Sequence, residues 1–347
     1  MVDACEKIPV FFTFDNNYAA QCGVTFESLL YNAHYSIFYE LYVITSGLDD
    51  INIEKLYFIV NKYENASLHI INANNIEINC NLAEKIGDSS FTKDTLYRCI
   101  PTLFKEFDKY DKIIYSDVDI IVLRDISKLY HIDVKSYYLA GFKTPYFLSH
   151  ETTHLSEEVR STYFGGGLWV MNLKKIREDN LCDKVMKIIK DKNIKLVWND
   201  QDIMNIVCAG NVTYFSYEYV SIPHWKHMLE KCDYYDEIYQ NRELEDAMMR
   251  PAIIHYAGYK PWIKCNTPPP KYEEWFYWLS KTPFSNKFQE ELQCIKKLIK
   301  YRNKYKILLF GFIPLGYINF DMNQRKFYIN VFKILRLIKF KRCEIKE

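Results

Sequence analysis

Asp117 and Asp119 stand one residue apart in Tyr115-Ser116-Asp117-Val118-Asp119, directly after the apolar pair Ile113-Ile114. Two carboxylates at the carboxyl end of a buried strand face the crevice where open α/β sheets bind ligands. An imidazole, His255, closes another apolar run, Ala252-Ile253-Ile254. Oxygen donors with one imidazole suit a divalent cation, Mn²⁺ or Mg²⁺ rather than structural zinc, that keeps open positions for phosphate oxygens. Such an ion neutralises a diphosphate and stabilises it as a leaving group. Gly258 and Lys260 follow His255 closely. The glycine lets backbone N–H groups approach a phosphate, and the lysine adds a point charge. Each pattern alone is weak: with 21 Asp in 347 residues, an Asp-x-Asp step arises by chance about once, and a lone His at a strand end is commonly structural.

These residues need a scaffold that gathers strand ends. Ile8 to Phe14 reads as a first strand ending in polar Asp15-Asn16-Asn17. Helices fit Gln21 to Tyr31 and Ile51 to Tyr63, with strands at Tyr39 to Thr45 and Ser67 to Asn72. This alternation implies βαβ units: an α/β fold with a mainly parallel, mixed sheet flanked by helices. Thr95 to Phe107 is predicted as a helix, turned or kinked at Pro101. Tyr137 to Phe142, Leu168 to Met171 and Ala252 to Tyr256 read as later strands, and Asn199 to Val207 as a helix opening on Asp200-Gln201-Asp202. Gly165-Gly166-Gly167 marks either a plain turn or a close approach of backbone to a ligand. Prolines 268–270 end the body, so a catalytic domain at 1–270 and a helical appendage at 271–347 are expected.

The appendage is basic. Residues 287–347 hold 15 Lys and Arg against 5 acidic residues, while the remainder is mildly acidic. Basic side chains interleaved with Tyr, Phe and Trp fit either attachment to an anionic membrane surface or a packed helix with a solvated basic face. No recognition motif accompanies the charge, so no nucleic-acid partner is expected. The ten Cys include no C-x-x-C pair, which excludes a zinc ribbon and fits reduced thiols. No signal sequence and no spanning apolar run is read, so a cytoplasmic protein is expected, peripheral on the inner face of the cytoplasmic membrane if the tail engages lipid.

Five segments, taken in order, are similar to glycosyltransferase family 8, especially its bacterial lipooligosaccharide and lipopolysaccharide galactosyl- and glucosyltransferases. They are Phe12-Thr13-Phe14-Asp15-Asn16-Asn17-Tyr18-Ala19, Tyr97-Arg98, Tyr115 to Asp119, Asn199 to Ile203, and His255 to Trp262. Tyr163 to Gly167 with Asn172 to Lys175 forms a partial sixth match. The resemblance implies a GT-A fold, a retaining mechanism, a UDP-glucose or UDP-galactose donor bound through Mn²⁺, and a glycan or lipid-linked glycan acceptor. By the same resemblance Asp117, Asp119 and His255 hold the metal, and Gly258 and Lys260 the diphosphate. Asp15 and Asn17 contact the uracil, Tyr18 stacks on it, Thr13 belongs to the same donor-binding set, and Val118 borders the ribose. Arg98 faces the sugar diphosphate, Asp200 holds donor-sugar hydroxyls, and Gln201 lies near the anomeric carbon.

Two departures concern the choice of hexose. Family members often carry Asn at the position of Gly165 and Asp at that of Thr144, so a wider pocket open to glucose, galactose or an N-acetylated hexosamine is expected here. The competing readings are a non-catalytic UDP-sugar-binding module and a metal-dependent nucleotidyltransferase. The second lacks a triphosphate-binding loop near the first strand.

Overall fold

The computed structural model describes residues 5–76, 92–144, 152–191, 193–222, 249–258, 260–263, 269–288, 316–321 and 326–331, with positions 78 and 247. The chain divides into two compact units, 1–285 and 286–347. Most of the proline-rich connector and of the basic tail lies outside the described residues.

In the first unit, β1 (Glu6–Thr13) leads through a 3₁₀ turn (Asn16–Tyr18) into α1 (Ala19–Tyr31), followed by β2 (Ile37–Thr45), α2 (Asp50–Val60) and β3 (Ala66–Asn72). β1, β2 and β3 are parallel, with Phe12 beside Val43 and Val43 beside Ile70. Continuous apolar stretches such as Val10-Phe11-Phe12 are buried on both faces, as parallel strands covered by helices must be. β4 (Lys112–Ser116) pairs parallel with β1. Then come β5 (Ile120–Val122), β6 (Leu139–Gly141), β7 (Leu168–Asn172), α3 (Leu181–Lys190), α4 (Asn199–Cys208), β8 (Val212–Tyr214), β9 (Ile253–His255) and α5 (Tyr272–Leu279). The seven-stranded sheet runs β3-β2-β1-β4-β7-β6-β8, antiparallel at β4-β7 and β7-β6. It is the mixed, mainly parallel sheet expected.

The segment 95–107 is not one helix. It forms short 3₁₀ turns at Lys93–Cys99, Pro101–Leu103 and Lys105–Phe107. Pro101 has no N–H to donate and disfavours helical geometry at Ile100, which adopts φ −128°, ψ 43°. Residues 271–285, grouped with the tail in the sequence reading, pack within the first unit: Trp275 and Trp278 on α5 are buried, and Tyr31 of α1 meets the Trp278 ring edge-on at 5.3 Å. In the second unit the described residues form an antiparallel hairpin, β10 (Gly316–Asp321) with β11 (Lys326–Val331), where helix was expected. Tyr317-Ile318-Asn319-Phe320 carries aromatic and β-branched residues that favour strands. Among the described residues no helix is long and apolar enough to cross a membrane.

β5 and β9 form a separate two-stranded ribbon, and it sets the site. Ile120 pairs with His255 and Val122 with Ile253, so the carboxylate pair and the imidazole arrive side by side. Helix α1 covers the other edge of β5. Thr25, Ser28 and Asn32 lie along one helical face. The Thr25 hydroxyl stands 2.9 and 2.8 Å from the carbonyls of Val118 and Ile120, Ser28 Oγ accepts from Val122 N–H, and Asn32 Nδ2 donates to the Val122 carbonyl. Each bond contributes about 1 kcal/mol, and each backbone group left bare would cost more.

Candidate active site

Asp117 and Asp119 occupy the turn between β4 and β5, and His255 ends β9. One ligand atom from each lies within 4.8 Å of the others. His255 Nε2 is 3.2 Å from Asp119 and 3.6 Å from Asp117, and the imidazole is 5% exposed. Burial pushes the Asp119 carboxyl up, but the charges of Lys260 and His255 overcome it and hold the group well below the usual carboxylate range. For His255 burial works downward and the facing carboxylates, Asp119 foremost, win, raising it to about 9. Asp119 Oδ1 and His255 Nδ1 are buried without hydrogen-bond partners. A buried carboxylate oxygen that makes no hydrogen bond, faced only by the imidazole at 3.2 Å and set beside a second carboxylate, belongs to a donor set that fits a hard or borderline divalent cation. Lys260 lies on Asp119, and Gly258, in the left-handed region at φ 80°, turns the chain between His255 and Lys260.

Arg98 joins this cluster to the second acidic group. Its Nη1 is 2.6 Å from Asp117 and its Nε 3.0 Å from Asp200, with the guanidinium centred 5.0 Å over the Tyr115 ring. Desolvation opposes its charge, but the two carboxylates hold it firmly protonated. Asp200, 4% exposed, is pushed up to about 6 by burial despite Arg98. Removing one member of so buried a set costs about 3–5 kcal/mol, because an uncompensated charge remains.

The triple glycine is the hub of the site. None of the three has positive φ, so what matters is the missing side chain rather than an unusual backbone. A Cβ on Gly167 would lie 2.1 Å from His255 Cε1, and one on Gly166 3.0 Å from Gln201 Oε1. The close approach is therefore to the protein's own site residues. The Gly166 carbonyl accepts from Arg98, its N–H donates to Gln201 Oε1, and Asp117 N–H donates to the Gly167 carbonyl. A Cβ on Gly165 would lie 1.9 Å from Phe142 Cζ. The buried Phe142 ring therefore takes the space that a side chain at position 165 would need.

The remaining expected residues surround this core. Asp15 caps the 3₁₀ turn by accepting from Asn17 N–H at 2.9 Å, and Asn17 itself is exposed. Tyr18 is half-buried, meets Trp262 edge-on at 6.3 Å, and is held protonated mainly by burial, with the charges of Lys260, Asp119 and Asp117 all within its reach. Thr13 ends β1 with its hydroxyl buried and unpartnered. Val118 is buried between the two carboxylates, and its carbonyl is held by Thr25. Sequence reasoning did not single out Thr25, Tyr115, whose hydroxyl donates to Asp117, or Trp169, whose indole N–H holds the Gly165 carbonyl at 2.7 Å. Asn199, quoted in its motif without a role, takes φ 45° directly before Asp200, a conformation asparagine tolerates better than most residues.

A mixed sheet flanked by helices, with an acidic and imidazole cluster at its strand ends, is a GT-A-like architecture. Residues 9–265 match glycosyl transferase family 8, and the chain belongs to that family. It is 29% identical over 280 residues to general stress protein A of Bacillus subtilis (strain 168), covering 78% of this chain and 92% of that one. With a lipopolysaccharide 1,2-glucosyltransferase of Escherichia coli (strain K12) it shares 24% identity over 316 residues, 89% and 87% of the two chains. Its fold matches the crystal structure of the galactosyltransferase LgtC in complex with donor and acceptor sugar analogues, with a TM-score of 0.63, 21% identity, and coverage of 80% of this chain and 96% of that one.

Proposed function

We propose that the chain is a retaining hexosyltransferase that moves glucose or galactose from a UDP-sugar to a glycan acceptor with the help of Mn²⁺ or Mg²⁺, in the assembly of bacterial surface polysaccharide. The observation that carries this reading is the single constellation of Asp117, Asp119, His255 and Lys260 joined through Arg98 to Asp200 and, by way of the Gly166 backbone, to Gln201. The family and the relatives named for lipopolysaccharide glucosyl transfer support the substrate class and the setting.

Asp117, Asp119 and His255 are the residues to hold the metal, which when bound supplies positive charge to the leaving diphosphate. Lys260 adds a cation on the same side, and Gly258 opens backbone N–H groups to the phosphates. Asp15, Asn17, Tyr18, Thr13 and Val118 form the uridine side. Arg98 fixes Asp200 at the donor-sugar hydroxyls. A carboxamide is a poor nucleophile, so Gln201 serves to stabilise positive charge on the sugar ring, and retention follows from front-face attack in which the departing phosphate oxygen takes the acceptor's proton.

The test is turnover of a UDP-sugar panel with Mn²⁺, by UDP release. Hydrolysis or transfer from UDP-glucose or UDP-galactose is expected; preference for a UDP-N-acetylhexosamine would move the donor assignment, and no turnover of any UDP-sugar would sink the proposal. Mn²⁺-dependent UDP binding without transfer would instead identify a binding module. Attachment to an anionic surface through 287–347 belongs to the same reading, and a protein lacking those residues that still sediments with anionic vesicles would contradict it.

A further inference from the structure

Asp202 lies behind the site with its side chain wholly buried. Its Oδ2 accepts from Val197 N–H at 2.7 Å and Trp198 N–H at 2.9 Å, with His154 Nε2 also at 2.9 Å. Its Oδ1 accepts from the Tyr163 hydroxyl at 2.6 Å. Burial first, and the Asp202 charge second, push the Tyr163 phenol up, so that proton stays on Tyr163. A carboxylate only accepts and a phenol has one O–H. The phenolic oxygen therefore turns its lone pair outward, where Gln201 Nε2 donates to it at 3.0 Å. At the other end of the carboxamide, Gly166 N–H donates to Oε1 at 2.8 Å.

The order of donors is directional. Flipping the Gln201 amide would set its oxygen against a phenolic oxygen with no proton left to give, and its NH₂ against the N–H of Gly166. Asp200 and Asp202 are buried, whereas Gln201 is partly exposed and within a ligand's reach. We propose that Tyr163, locked by Asp202, is the positioning residue that fixes the Gln201 carboxamide with its oxygen toward Gly166, and so decides which atoms Gln201 presents to the donor sugar. This rests on the role given to Gln201 above. Replacement of the charge reverses the chain: with Asp202→Asn, the backbone N–H groups of Val197 and Trp198 claim the amide oxygen, the amide NH₂ faces Tyr163, and the phenol is released to donate toward Gln201.

The experiment combines kinetics with spectra of the full-length chain labelled with ¹⁵N-glutamine. The Gln201 side-chain signal, assigned by its loss in Gln201→Ala, is expected to shift in both Tyr163→Phe and Asp202→Asn; signals that stay in place overturn the proposal without any substrate. In turnover, Tyr163→Phe lowers kcat on the order of 10- to 100-fold with donor KM changed by less than about 3-fold. In a Gln201→Ala background the same substitution has little further effect, because Tyr163 acts through Gln201. Additive losses, or a shifted signal with unchanged kcat, also overturn it. Absence of turnover in the unaltered protein would refute the transferase reading and the positioning role with it, while the spectra would still decide how the amide is oriented.

Discussion

Replacing Gly167 by alanine tests whether the triple glycine exists to admit His255. The added Cβ would lie 2.1 Å from His255 Cε1 and 2.5 Å from Nδ1. Ordinary carbon contact begins near 3.4 Å, so the ring or the loop must retreat by about 1.3 Å. Neither yields easily. His255 is paired with Ile120 across the ribbon, and the Gly167 carbonyl is held by Asp117 N–H at 2.9 Å. Overpacking of this kind costs about 1–3 kcal/mol, and a displaced ligand lowers metal affinity on the order of 10- to 100-fold. The assay is a Mn²⁺ titration of metal-free protein by calorimetry, with the melting temperature followed in parallel. Gly47→Ala is the control, since a Cβ there meets nothing within 4 Å. In a His255→Ala background the stability cost of Gly167→Ala is expected to vanish, because the ring it strikes is gone. Unchanged Mn²⁺ affinity in Gly167→Ala, or an equal stability cost with and without His255, would refute the reasoning.

Lys260→Met is expected to act in opposite directions on two ligands. With no ammonium on Asp119, Mn²⁺ alone binds about 10-fold tighter or better, while UDP binds about 10- to 100-fold more weakly for want of one charge-assisted bond; calorimetry with both moving the same way would contradict this. Asp200 is ionised only above about pH 6, so kcat/KM should fall as pH drops through that value. Arg98→Met removes the charge that restrains Asp200 and moves this acid limb upward in whatever activity remains; a limb that stays in place would exclude Asp200 as its source. Gly165→Asn is expected to destabilise the protein by about 1–3 kcal/mol, because its Cβ would fall 1.9 Å from Phe142 Cζ. In a Phe142→Ala background, compared with Phe142→Ala alone in a thermal melt, Gly165→Asn should cost little further, and an equal cost with and without the ring would count against the packing.

The cluster of Asp117, Asp119 and His255 was legible in the sequence because the chemistry proposed for it demands particular residue types. Asp117, Asp119 and His255 each follow an apolar run, and a cation needs carboxylates or imidazole at that place. The strands β1, β2 and β3 were legible for a similar reason, since a buried parallel strand tolerates little except apolar residues. The ribbon of β5 and β9 was not, because three-residue strands carry too little pattern to show which partner each will find. Thr25, Ser28 and Asn32 look from sequence like the polar side of any helix, yet their acceptors are the backbone of the Asp-x-Asp turn. Gly165 to Gly167 left a plain turn and a close approach to a ligand both open, because glycine signals room but sequence cannot say whose atoms take it. Here they belong to Phe142, Gln201 and His255. Residues that touch a cation or a phosphate are restricted by charge, whereas residues that hold them in place need only a shape and one hydrogen bond. Many side chains meet that lesser demand. The supporting shell around Gln201 and His255 therefore becomes visible only once the ribbon, the glycine loop and α4 are brought together, and it is there that substitutions such as Gly167→Ala and Tyr163→Phe distinguish a working site from a mere collection of suitable residues.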